Sequence, residues 1–193
     1  MLKTLITNNC WGGVIAHNYG MEFRSPTINL QILPEEFPDF CEHLKFYMKR
    51  DLIECKELAP WHEDYMHHQF GEELPACPLG LIGDILVVFQ HYETFEEAKE
   101  QWNRRKARID YDNIGYFFHV KNYTYSAPAR NFIKLRLPNS VCATQDFYLD
   151  GAYRFDVPEG KDAFGAVDDN SRRLIEQNFR IKDWLEGKLL NYQ

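Results

Sequence analysis

No stretch of this 193-residue chain approaches the roughly 18 consecutive apolar residues that a membrane span requires. The start MLKTLITNNCWGG lacks the sustained apolar core of a secretory leader, and the sequence therefore predicts a cytoplasmic protein. There is no Lys/Arg block or basic tail. With 22 basic against 29 acidic residues and a formal net charge of −7, nucleic acid and anionic membrane surfaces are poor partners. No C-x-x-C pair occurs. The five cysteines (Cys10, Cys41, Cys55, Cys77 and Cys142) are odd in number and irregularly spaced, which indicates neither a disulfide framework nor a zinc ribbon. A glycine-rich phosphate loop, a G-x-S-x-G serine elbow and internal repeats are also missing, and no cofactor is indicated. His62, His67 and His68 depart from the four-residue spacing that sets two zinc ligands on one helix face, so no metal site is predicted.

Aromatic residues, in contrast, make up 15% of the chain, and their first use is to fill a core. The length suits one domain burying about 70% of its unfolded surface, and residues 1–193 read as a single α/β domain in which strands and helices alternate. Strand character covers residues 2–6 and the alternating run 27–33, which Pro34 stops, and a further strand is read at 52–58. Apolar spacing predicts one helix over 35–49, whereas 59–78, with Pro60, Pro75 and Pro78 and no clear period, reads as a long loop lining a site. Residues 84–89 (DILVVF) form a continuous apolar run expected at the centre of the sheet. Thr94-Phe95-Glu96-Glu97 is a capping box that opens a helix to about residue 108. A strand follows at 114–120, a helix at 127–135 and a strand at 140–144; residues 145–170 look irregular, and helical signals return at 171–177 and 181–190.

Chemistry concentrates in KTLITNNCWGGVIAHNYG, residues 3–20. Cys10 sits where a strand turns into a helix, with Gly12 and Gly13 allowing a sharp bend. The helix N-terminus should favour thiolate and lower the thiol by about two units from its ordinary value of about 8.5. His91 directly follows the run 84–89, and ligands in α/β sheets lie beyond the carboxyl ends of the strands. Cys10 and His91 are therefore the expected nucleophile and base, unless Cys10 is simply a small residue in a tight turn and His91 a satisfied core histidine. His17 lies about two helical turns beyond Cys10 and is the poorer base. Asn8 and Asn9 either supply an oxyanion or orienting amide or serve the turn. Asp84 either bonds a histidine or solvates the entry to its strand. Arg104 and Arg108, four apart, either clamp an anion or complement the helix dipole.

The motifs LITNNCWGG, RSPTINL, PLGLIGDILVVFQHY, ETFEEAKEQWNRRKARI and DNIGYFF, in this order, resemble a bacterial family of unknown function whose members are sometimes labelled exopolysaccharide biosynthesis proteins. The resemblance extends to about residue 146 and implies a three-layer α/β domain with a mostly parallel or mixed central sheet. Its pattern falls on Asn8, Asn9, Cys10, Trp11, Gly12, Gly13, Ser25, Pro26, Gly80, Asp84, His91, Tyr92, Trp102, Arg104, Arg105 and Arg108. A weaker similarity, carried by the strand-Asn-Cys opening, the Ser-Pro pair and the Arg-Arg-x-x-Arg helix, is to a family described as papain-like cysteine peptidases. This chain lacks the glutamine that precedes the papain cysteine. Together these imply a Cys/His-dependent transferase or hydrolase of exopolysaccharide or cell-surface glycan assembly. Its partner would be an anionic small molecule or glycan donor, held by Trp11, Gly12, Gly13, Ser25, Asp84, Tyr92, Trp102 and the arginines. The competing expectations are a non-catalytic nucleotide-sugar or anionic glycan binder and a scaffold subunit.

Overall fold

In the computed structural model, which describes residues 1–145, 147–155 and 179–188, the strands divide between two four-stranded sheets. In chain order the elements begin with β1 (Thr4–Thr7), α1 (Trp11–Asn18), β2 (Gln31–Ile32), α2 (Phe37–Glu42), α3 (Leu44–Tyr47), β3 (Leu52–Glu54) and α4 (Pro60–Phe70). They continue with β4 (Leu79–Ile82), β5 (Ile85–Val88), α5 (Phe95–Lys106), β6 (Ile114–Val120), α6 (Ser126–Lys134), β7 (Ser140–Gln145), β8 (Tyr153–Phe155) and α7 (Ile181–Leu185). The first sheet has the order β1-β6-β7-β8 with all neighbours parallel. The second has the order β2-β5-β4-β3 and is antiparallel. The α/β class thus holds, with parallel and antiparallel pairing kept in separate sheets.

The apolar run at 84–89 is an inner strand, as its composition suggests, but of the antiparallel sheet. PLGLIGDILVVF is a hairpin: Ile82 pairs with Ile85 across a two-residue turn, and Gly83 adopts φ 67°, a conformation open to glycine at little cost. The expected strand at 27–33 shrinks to two residues because Asn29 turns left-handed at φ 62°. The expected helix at 35–49 breaks in two at His43 (φ −106°, ψ 25°). Residues 60–70, expected as loop, are the helix α4, with Pro60 in its first turn and Gly71 at φ 83° closing it. In α5, Thr94 Oγ1 accepts the Glu97 N–H at 3.3 Å, and acidic and basic residues occupy opposite ends. The region after 145 contributes β8; the helical signal at 171–177 lies outside the described residues.

Alternation along the parallel strands serves two cores. Ile6 and Phe118 face a cluster shared with the second sheet, containing Ile82, Val87, Phe37, Phe40, Trp102 and Phe132. Leu5 and Phe117 face the other way, against Trp11 and Ile15 of α1 and Trp184 of α7. Each such aromatic or branched side chain taken fully from water contributes about 1.5–3 kcal/mol, which is why both faces of this sheet read as apolar. The carboxyl-terminal helix docks on the sheet's first strands: the Leu2 N–H donates to the Leu185 carbonyl (2.7 Å) and Trp184 Nε1 donates to the Asn139 carbonyl (2.9 Å). Gly115 makes room for it, because a Cβ there would lie 2.6 Å from Leu2 Cδ1 and 2.7 Å from Trp184 Cζ2. Gly115→Ala should therefore destabilise the protein by about 1–3 kcal/mol through overpacking. Urea unfolding followed by tryptophan fluorescence would show the loss, and an unchanged midpoint would mean that α7 is not seated against β6.

Candidate active site

The carboxyl end of β1 is held in place before it turns. The Thr7 N–H donates to Thr27 Oγ1 (3.1 Å), and Ser25 Oγ lies 2.9 Å from the same hydroxyl, so the Ser-Pro segment is the clamp on β1. Thr7 Oγ1 donates to the Asn9 carbonyl (2.6 Å) and accepts the Gly12 N–H (3.2 Å). Glycine is required at position 12, since a Cβ would stand 2.8 Å from Thr7 Oγ1. Asn8 is 2% exposed and grips the neighbouring strand β6: its Oδ1 accepts the His119 N–H and its Nδ2 donates to the His119 carbonyl, both at 2.9 Å. Its own carbonyl accepts the Ile32 N–H (2.9 Å) from the second sheet.

This junction places Cys10, the residue before α1, opposite the turn that follows β5. Cys10 Sγ and His91 Nε2 are 3.1 Å apart, a hydrogen-bonding distance for sulfur. Both line a cavity of about 410 Å³, together with Asn8, Asn9, Trp11 and His119. Gln31, Gln69, Gln90, Phe70, Lys121 and Tyr125 are also in its wall, giving it amide donors and acceptors beside aromatic surface.

The sulfur's electrostatics run opposite to the expectation from the helix end. Burial pushes the Cys10 thiol up to about 11, against a smaller lowering by its own backbone N–H. Burial is the cause of the rise, and the first amides of α1 are besides already taken. Asn9 Oδ1 accepts from Trp11 N (3.1 Å), Thr7 Oγ1 from Gly12 N, and the Cys10 carbonyl from Gly13 N and Val14 N. At rest Cys10 is therefore a thiol, and ionising it near neutral pH requires a base in contact with it. Tyr125 in the same wall is pushed up to about 12 by burial, with the Glu35 charge adding, so its phenol stays a donor.

The remaining residues singled out in the sequence lie outside this cavity wall. Gly13 packs against Ile28, and Trp102 is buried in the shared core. Asp84 sits at the opposite end of β5 from His91 and accepts the Tyr47 hydroxyl (3.0 Å). Arg105 is buried; its Nη1 donates to the Ile28 carbonyl and the Tyr92 hydroxyl, both at 2.8 Å, bracing the turns on either side of the dyad. Arg104 bonds Gln101, and Arg108 lies 3.7 Å from Glu22, so the three arginines do not converge on one point. Among the described residues, the group with cation-ligand spacing is Asp39, Glu42 and His43, all exposed and none in the cavity wall. The sequence reading passed over His119 and Tyr125. For His119 the available signal was its place near the carboxyl end of a third strand.

α4 carries Gln69 and Phe70 into the wall, and a buried pair anchors it. His62 Nε2 lies 2.7 Å from Glu36 Oε1, while Glu36 Oε2 accepts the Leu86 N–H (2.9 Å). Burial disfavours charge on His62, but the bond and charge of Glu36, aided by Asp84, outweigh it and hold the imidazole above its ordinary range. A histidine raised on folding stabilises the fold fully below its unfolded value of about 6.5, and that contribution is lost as pH rises through the folded value. His62→Gln should cost about 3 kcal/mol near pH 6 and less at higher pH, because one partner of a buried pair is removed. Urea midpoints of the two proteins should converge as pH rises; a constant gap would mean that the pair is not ionic.

The chain belongs to the domain-of-unknown-function family DUF1919, whose pattern matches residues 2–185. It is 26% identical over 145 residues to an uncharacterized protein of Haemophilus influenzae; the match covers 75% of this chain and 63% of that relative's length.

Proposed function

We propose that this DUF1919 protein is a cysteine-dependent transferase or hydrolase, with Cys10 as nucleophile and His91 as its base. The observation that carries the reading is the 3.1 Å contact between Cys10 Sγ and His91 Nε2 in the wall of a cavity able to hold a small molecule. Because burial keeps the thiol protonated, nucleophilic attack is coupled to transfer of the Sγ proton to Nε2. The imidazolium so formed then protonates the leaving group, and water or an acceptor hydroxyl releases the product. Arg105 serves from behind as a brace on the Ile28 and Tyr92 turns.

A role in exopolysaccharide or cell-surface glycan assembly follows from the motif resemblance and selects the first donors to screen. Cavity walls that combine amides with aromatic faces suit polyhydroxylated groups, and Gln31, Gln69, Gln90, Trp11 and Phe70 supply both. Incubation with activated acyl and glycosyl donors, read by intact-protein mass spectrometry, should leave one donor group on Cys10. Cys10→Ser should abolish the adduct, and His91→Ala should slow its formation by about 10²–10⁴-fold. Labelling of Cys55 or Cys77 with Cys10 untouched would reject the reading.

A further inference from the structure

Gln31, the first residue of β2, is 6% exposed and lines the cavity. It pairs with Val88 on the face of the antiparallel sheet that α4 covers, where Val88 and Leu33 pack with Met66 and Phe70. The neighbouring Ile32 N–H donates to the Asn8 carbonyl (2.9 Å), so the backbone beneath Gln31 is fixed to both sheets. Among the described residues no hydrogen bond reaches its carboxamide, although neither of its polar atoms is sealed in the interior. The amide therefore opens into the cavity. Its oxygen accepts and its nitrogen donates, and beside an apolar cluster both are costly to leave unpaired, so they are left for the occupant of the cavity. That occupant lies next to the dyad: the Leu30 carbonyl, one residue before Gln31, is 4.0 Å from Cys10 Sγ, and Gln90, also in the wall, adjoins His91. Gln69 of α4 brings a third carboxamide to the same wall, and no aspartate or glutamate among the described residues enters it.

We infer that Gln31 is the specificity-determining residue of the cavity, and that it selects a neutral group presenting a donor beside an acceptor, as a primary amide or a pair of vicinal hydroxyls does. The inference rests on the reading of the cavity as the place where Cys10 reacts, and narrows what it admits. Such a group closes two bonds at once: its N–H or O–H donates to Gln31 Oε1 while its oxygen accepts from Nε2. A carboxylate brings acceptors alone and leaves Oε1 unmet. An ammonium group brings donors alone, leaves Nε2 unmet and finds no carboxylate among the described residues of the wall. Discrimination is strong in this arrangement because the wrong ligand strands a buried polar group of the protein. A group held by Gln31 also covers the sulfur, one residue away through Leu30, and screens it from other reagents.

Protection of Cys10 measures this selection without any turnover. The protein is treated with methyl methanethiosulfonate, a small reagent with no N–H or O–H, and modification of Cys10 is followed by peptide mass spectrometry with Cys55 as the internal reference. Three competitors are added in turn: glutaramide, methyl α-glucoside and glutarate, the acid counterpart of glutaramide. At least one of the two neutral compounds should protect Cys10 saturably, and which one does so tells an amide from a hydroxyl pair; glutarate should not protect. Gln31→Leu, which keeps the bulk and loses both bonds, should raise the protecting concentration about tenfold. Gln31→Glu, of the same shape but without the donor, should raise it as well and decides the matter where the leucine variant fails to fold. Protection by glutarate equal to that by the neutral compounds would overturn the assignment. So would midpoints unchanged in both variants, or no protection by either neutral compound up to its solubility. His91→Ala is the separate control: it should alter the rate and pH dependence of Cys10 modification but not the midpoints. If it alters neither rate nor pH dependence, the Cys10–His91 reading falls while the Gln31 variants still report on the ligand.

Discussion

The hydrogen bonds of Asn8 are the joint on which the site depends. Cys10 is carried by the parallel sheet and His91 by the antiparallel one, so no strand pairing sets their separation. Asn8 supplies the missing link. Its side chain locks β1 to β6 through both backbone groups of His119, and its carbonyl accepts from Ile32 at the edge of the second sheet. Leaving any one such buried group without a partner costs about 1–3 kcal/mol. The larger consequence is geometric, since a displacement of about 1 Å at reacting atoms can cost a hundredfold in rate. Ser25 and Thr27 on one side and Arg105 on the other keep the same joint from hinging.

The same packing sets the chemistry of the sulfur. A helix N-terminus stabilises a thiolate only when its first amides are free to point at it, and here Asn9, Thr7 and the Cys10 carbonyl have taken them. Burial then dominates and the resting thiol stays protonated. A half-buried neutral thiol beside an exposed imidazole is protected from adventitious electrophiles and acquires nucleophilic character as its proton moves to the histidine.

The parts of the fold legible in the sequence are those where a local signal coincides with the tertiary outcome. The capping box at Thr94, the apolar runs of β5 and β6 and the strand-to-helix turn at Cys10 needed no knowledge of their partners, although Gly12 and Gly13 lie within α1 rather than at the bend. Where long-range contacts decide, the local reading departs. The apolar pattern of 27–33 is interrupted by a left-handed Asn29, and α4 has a weak period because the residues it buries, His62 and Met66, include one that is polar. Cys10 and His91 were legible as residues at two strand ends, but the two-sheet arrangement that unites them was not. His119 reads as an ordinary strand residue until Asn8 and Asn9, more than a hundred positions earlier, are seen to hold its backbone and its ring. The arginines of α5 look like an anion clamp in sequence, yet in three dimensions each is committed to a different neighbour.

The measurement that tests the central claim most directly is the pH dependence of Cys10 alkylation, resolved from the other cysteines by peptide mass spectrometry, in wild type and His91→Ala. With His91 as base, wild-type Cys10 should show a limb of reactivity at lower pH than the buried thiol alone would give. In the variant that limb should vanish, leaving reaction only toward the alkaline range set by the buried thiol. Superimposable profiles for the two proteins would contradict the claim that His91 activates Cys10.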